Sequence, residues 1–135
     1  MKPINDWKME DGVWYRRYCT GVNDDGDEIH QWLREDITVI PVMTLIRYWE
    51  KLVKELSMKE VELYNLKEAY LLAEQKIIAE TDFKAIYNKN NADIRKQHVK
   101  NELSDMYEQQ KGLEFSIAFI GRYIGLLREV VRTKQ

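Results

Sequence analysis

Cysteine is almost missing from this 135-residue chain: Cys19 stands alone and cannot close an internal disulfide. Histidine occurs twice, and neither His30 nor His98 belongs to a His-x-x-x-His or Cys-x-x-Cys spacing, so no metal centre is expected. Of the six glycines none falls in a GxGxxG or GxxxxGKS/T pattern, which removes the phosphate-cradling loop of nucleotide chemistry. Cys19 has no histidine at a motif-like distance, which argues against a thiol nucleophile. The acidic turn Asp24, Asp25, Asp27 and Glu28 lacks the closing glutamate and the flanking helices of an EF-hand. A non-enzymatic protein with no cofactor is the expectation. Long apolar runs are missing as well: residues 115–127 contain Arg122 and fall short of the roughly 20 residues that span a bilayer, so no membrane partner is expected. No basic segment followed by an apolar run opens the chain, which points to the cytoplasm. A large net charge is also absent, with 21 basic against 23 acidic side chains, so any nucleic-acid binding must be local.

What is present favours a folded chain. Hydrophobic residues make up 44% and charged residues 33%, enough apolar material for one core and enough charge for a solvated surface. The length suits a single domain. Charge is polarised along the chain, at -4 over residues 1–36, -1 over 37–80 and +3 over 81–135.

Residues 12–36 favour strands, with Val13-Trp14-Tyr15 and Ile29 to Leu33 on either side of Asn23-Asp24-Asp25-Gly26, whose residues tolerate positive φ in a tight turn. The first segment, residues 1–40, is therefore expected to form a small β-hairpin. Two strands alone are marginal in water, so Trp14, Tyr18, Trp32 and Leu33 are candidate anchors against a helical body.

That body is expected over residues 41–135. Pro41 suits the first turn of a helix, and Leu45, Trp49, Leu52, Leu56, Lys59, Leu63, Leu66, Tyr70, Ala73 and Ile77 follow at alternating spacings of four and three. A polar break rich in asparagine comes next, over residues 81–91. Then Val99, Leu103, Met106, Gln110, Leu113, Ile117, Ile120, Ile124, Leu127 and Val131 repeat the same spacing. The prediction is a mainly α protein: a long antiparallel two-helix coiled-coil hairpin carrying a small N-terminal β-hairpin. A fold-back about residue 86 sets Leu52 near Ile120, Leu63 near Gln110 and Tyr70 near Leu103. Gly112, Ala118, Gly121 and Gly125 lie inside the second helix, where glycine costs up to about 1 kcal/mol relative to alanine, and close approach of another backbone is the expected compensation.

Three surfaces are candidate sites. Trp14, Arg16, Arg17, Tyr18 and Trp32 offer aromatic and basic groups for a partner protein or for stacked bases. At the helical break Lys84, Lys89, Arg95, Lys96 and Lys100 are opposed only by Asp93, a cluster suited to nucleic-acid phosphates or an acidic partner. A second apolar stripe, Ile46, Val53, Tyr64, Leu71 and Ile78, lies off the main seam and either meets the N-terminal segment or, as favoured, forms a homodimeric four-helix bundle, with a hetero-partner as rival occupant.

Thr81-Asp82-Phe83-Lys84, followed by Asn91, Arg95, Val99 and Leu103, resembles the pattern of small helical-hairpin proteins encoded by phages and prophages of Gram-positive bacteria. The likeness spans residues 45–130. It implies a phage accessory protein acting in the bacterial cytoplasm, from a class found among replication, recombination and host-interference functions. The leading expectation is binding to a host or phage protein, with inhibition of a defence or replication component by occlusion, as anti-CRISPR proteins do. The alternative is a nucleic-acid-binding accessory of phage replication or recombination.

Overall fold

The computed structural model describes residues 1–134. It is mainly helical, with a three-stranded antiparallel sheet of β1 (Lys2–Glu10), β2 (Val13–Val22) and β3 (Glu28–Glu35) in that order. The hairpin expected from residues 12–36 is β2 and β3, joined by a turn in which Asn23 Oδ1 accepts from the Asp25 and Asp27 amides. The sheet nevertheless has one strand more than the sequence reading supplied. Asp11 and Gly12 both take positive φ, 51° and 79°, as a two-residue turn of the type I′ class requires, and this turn returns β1 against β2.

The helices are α1 (Val42–Glu80), α2 (Phe83–Tyr87), α3 (Ala92–Glu102) and α4 (Ser104–Lys134), preceded by one 310 turn capped by Asp36. The expected second helix is thus two pieces, α3 and α4, and the short helix α2 stands inside the polar break over residues 81–91. Asp82 caps α2 through the Ala85 amide and Asn91 caps α3 through the Ile94 amide, so each restart is encoded by a short polar side chain. The third restart follows Leu103, where Asp105 lies in the first turn of α4 and its charge suits the free amides there.

The chain divides into two compact units, one joining Met1–Val53 to the residues from Arg122 onward, the other Lys54–Gly121. The first unit holds Trp14, Ile40, Leu45, Leu52, Tyr123, Leu127 and Val131 out of water. Alternation along β2 puts Trp14, Arg16 and Tyr18 on one face and Tyr15, Arg17 and Cys19 on the other. Trp14 decides which face turns inward: only 2% exposed, its ring meets Tyr48 of α1 edge-on at 4.7 Å. Tyr48 also donates to the Trp7 carbonyl at 3.3 Å, and Lys134 donates to the carbonyls of Thr38 and Ile40 at 2.6 and 2.7 Å. Burial pushes the Tyr123 phenol above its ordinary pKa, while the nearby Trp14 indole opposes the shift.

The second unit buries Phe83, Val99 and Ile120. Every position of the two predicted seams in this unit is buried or half-buried, from Leu56 to Ile77 and from Val99 to Ile120. Lys67 of α1 forms an ion pair with Glu114 of α4 at 3.9 Å, and burial raises the Tyr70 phenol above its ordinary pKa, with Glu74 and Tyr107 adding to the shift. The fold-back about residue 86 would set Lys67 beside Asp105 and Tyr70 beside Leu103. The observed partner of Lys67, Glu114, lies further along α4.

No neighbouring atom within the described residues comes within 4 Å of a Cβ built on Gly112, Gly121 or Gly125, so close backbone approach does not account for these glycines. Among the described residues there is open space beside each of them. Gly121→Ala is therefore expected to stabilise the protein by about 0.5–1 kcal/mol, read as a higher urea midpoint at unchanged slope. A lower midpoint would show that the open space is already used.

Candidate functional site

The first candidate group is divided by the sheet. Trp14 belongs to the core, and Arg16 on the same face donates from Nε to the Ile4 carbonyl at 2.9 Å and from Nη2 to Asn5 Oδ1 at 3.1 Å, with its guanidinium 4.9 Å from the Trp7 ring. Tyr18 is hydrogen-bonded to Glu35, which together with desolvation raises its phenol above the ordinary value. Arg17 and Trp32, directly paired across β2 and β3, occupy the opposite face. There the Arg17 guanidinium pairs with Asp6 at 3.3 Å and lies 5.8 Å from the Trp32 ring, and Lys8 Nζ sits 4.6 Å over the same indole and 5.8 Å from Tyr15. Lys8, which sequence reasoning passed over, thus joins Arg17 and Trp32. The signal was β1 itself, since strand pairing brings Lys8 opposite Tyr15.

The basic group lies on α2, α3 and the turn between them. Phe83 is its hub, 3% exposed, stacked on Tyr87 at 6.3 Å and meeting His98 edge-on at 5.3 Å. Tyr87 and His98 share a hydrogen bond, and Asn88 closes α2 in the left-handed conformation with φ 59°. The cations spread around this hub. Arg95 donates to Asn90 Oδ1 at 2.6 Å, while Lys100 Nζ lies 4.6 Å over the Tyr107 ring. Lys84, Lys89 and Lys96 are exposed. Arg95 and Lys100 thereby make local contacts.

The third group stays on one stripe of α1. Ile46 is half-buried in the first unit, where Val53 is exposed, and in the second unit Tyr64, Leu71 and Ile78 remain exposed, Tyr64 at 65%. Further large apolar side chains of the second unit are also in water, among them Met58, Val61, Leu72 at 66% and Phe115 at 70%. Phe115 lies two residues from the seam position Leu113, so on a helix it points away from the half-buried stripe. A cleft of about 370 Å³ in this unit is lined by Glu62, Leu66, Gln109, Gly112, Leu113 and Ser116.

One cluster was not anticipated. Cys19, Glu28 and His30 bring Sγ, a carboxylate oxygen and a ring nitrogen within 4.8 Å of one another. Cys19 and His30 are direct cross-strand partners, and Glu28 is two residues from His30 on the same face of β3, its carboxylate 3.0 Å from His30 Nε2. Spacing rules applied along the sequence miss the set because strand register creates it.

No family model, curated protein or solved structure matches this chain. Among the described residues no helix is long and apolar enough to cross a membrane.

Proposed function

We propose that this chain is a non-enzymatic interaction protein whose helical unit, Lys54–Gly121, carries the docking surface for a protein partner. One observation carries the reading: among the described residues this unit buries Phe83, Val99 and Ile120, while Tyr64, Leu72 and Phe115 remain about two-thirds in water. Large apolar side chains left outside so thin a core mark a surface that another molecule completes. The long helices of this unit are read as an antiparallel coiled-coil hairpin, on the four-three spacing of their half-buried positions and on the Lys67–Glu114 ion pair. Such a hairpin covers one stripe per helix. Tyr64, Leu71 and Ile78 stay available to a second copy or to a helical surface of another protein. The likeness of residues 81–103 to phage helical-hairpin proteins supports a phage accessory role in the bacterial cytoplasm, with occlusion of a host defence or replication component as the mechanism.

Tyr64→Glu combined with Phe115→Glu tests this reading. Both side chains are exposed, so the far-UV spectrum and melting temperature should hold, while partner capture from host lysate and self-association by light scattering should fall at least tenfold, about 1.4 kcal/mol. Unchanged capture and unchanged mass would remove the helical surface from consideration. A mobility shift of nucleic acid at about 50 mM salt that vanishes in Lys96→Glu would instead favour the basic tip.

A further inference from the structure

We infer that Cys19, Glu28 and His30 form a binding site for a zinc-class transition-metal ion on the outer face of the β2–β3 hairpin. Three features of the hairpin assemble it. The ladder pairs Cys19 with His30, the period of the strand puts Glu28 on the same side as His30, and the register shift between Cys19 and Gly21 bends β2 where the site closes. The result is a compact donor set, with all three ligand atoms within 4.8 Å of one another.

A tetrahedral ion with bonds of 2.0–2.3 Å holds its ligand atoms roughly 3.4–3.6 Å apart, so closure around the metal needs shifts of about 1 Å, within the reach of side-chain torsions. Glu28 and His30 already meet at 3.0 Å through the nitrogen that would ligate. The ion would take the place of the proton between them, which passes through solvent to Nδ1 so that the ring stays neutral. Thiolate, imidazole and carboxylate together select zinc and its neighbours over magnesium or calcium, whose preferred ligands are all oxygen. On binding, the Cys19 thiol gives up its proton to solvent as the sulfur–metal bond forms, and His30 binds through its neutral ring. Three protein ligands leave a fourth position for water or for a side chain of another molecule. Glu28 and His30 are exposed and Cys19 is half-buried, so the site is reachable. Their end of the hairpin contributes nothing to the buried core among the described residues, and the ion would clamp two strands held there by ladder hydrogen bonds and by the Thr20 hydroxyl, which donates to the Ile29 carbonyl at 3.3 Å.

The full chain, reduced with a phosphine, is titrated with Co2+ as the spectroscopic probe. The expected result is one ion per chain with a thiolate-to-cobalt charge-transfer band and the intense visible bands of tetrahedral cobalt, both displaced by Zn2+. Cys19→Ser should abolish the charge-transfer band, and His30→Ala or Glu28→Gln should each weaken Co2+ binding at least about tenfold. Zn2+ should raise the melting temperature of the wild type and leave that of Cys19→Ser unchanged. Absence of the charge-transfer band, or wild-type Co2+ affinity in His30→Ala and Glu28→Gln, overturns the assignment. Failure here leaves the helical docking surface untouched, because Tyr64 and Phe115 take no part in the site.

Discussion

Leu127→Asp should leave the protein without a cooperative thermal transition at neutral pH. Leu127 has no solvent exposure, and Trp14, Leu45, Tyr123 and Val131 of the same unit are buried as well. Removing a buried leucine side chain costs about 2–5 kcal/mol. Placing a carboxylate there adds several kcal/mol for an unpaired charge, or forces it to take up a proton. Total stabilities of domains are about 5–15 kcal/mol, so the sum takes most or all of it. Arg128→Asp, one residue along on the exposed side, should cost less than about 1 kcal/mol. Circular dichroism melts of the two variants separate these outcomes, and matching melting temperatures would show that the inward stripe of α4 is misassigned.

Phe83→Ala carries the second largest expected effect, and a local one. The Phe83 ring is the buried centre of a small cluster in which Tyr87 and His98 contact it and each other. A five-residue helix such as α2 has too few internal hydrogen bonds to stand alone, so packing on α3 must hold it. Truncation of a buried phenylalanine costs about 3–5 kcal/mol. The expected reading is fast amide exchange throughout α2 and the first turns of α3, with protection retained in the first unit. Lys84→Ala, at an exposed neighbour, should change exchange little. Protection of the Ile86 and Asn88 amides in Phe83→Ala at the wild-type level would show that the caps at Asp82 and Asn91 suffice without the ring.

The legible parts of the fold were those governed by local rules. Spacings of four and three placed Leu45, Leu52, Val99, Ile120, Leu127 and Val131 on the inward stripes, and all six are buried. Turn chemistry located the bend between β2 and β3 at Asn23 to Gly26, where the Gly26 amide donates to the Asn23 carbonyl. The strand β1 escaped because Pro3, Asn5 and Asp6 are weak strand formers and its pairing is irregular between Pro3 and Trp7, although Asp11-Gly12 was a hairpin signal in plain view. The break in the returning helix escaped for another reason. The hydrophobic spacing runs through Leu103 without losing phase, so periodicity alone sees one helix where α3 ends at Leu103 and α4 begins with Asp105 in its first turn.

The candidate surfaces divided along the same line. Arg16 and Arg17 are adjacent in sequence and chemically alike, yet the pleat sends one to the Trp14 face and the other to Trp32. Lys8 joined Arg17 only through strand pairing, and Cys19 met His30 only through register. Period, turn and cap are properties of a few neighbouring residues, since hydrogen-bond geometry and side-chain direction repeat at fixed intervals, and these the amino-acid order settled before any folding. Partnership between distant residues was left to the assembled molecule. It depends on bulges, helix breaks and the choice of which aromatic enters the core, each a competition between burial and backbone pairing that has no counterpart in the linear chain.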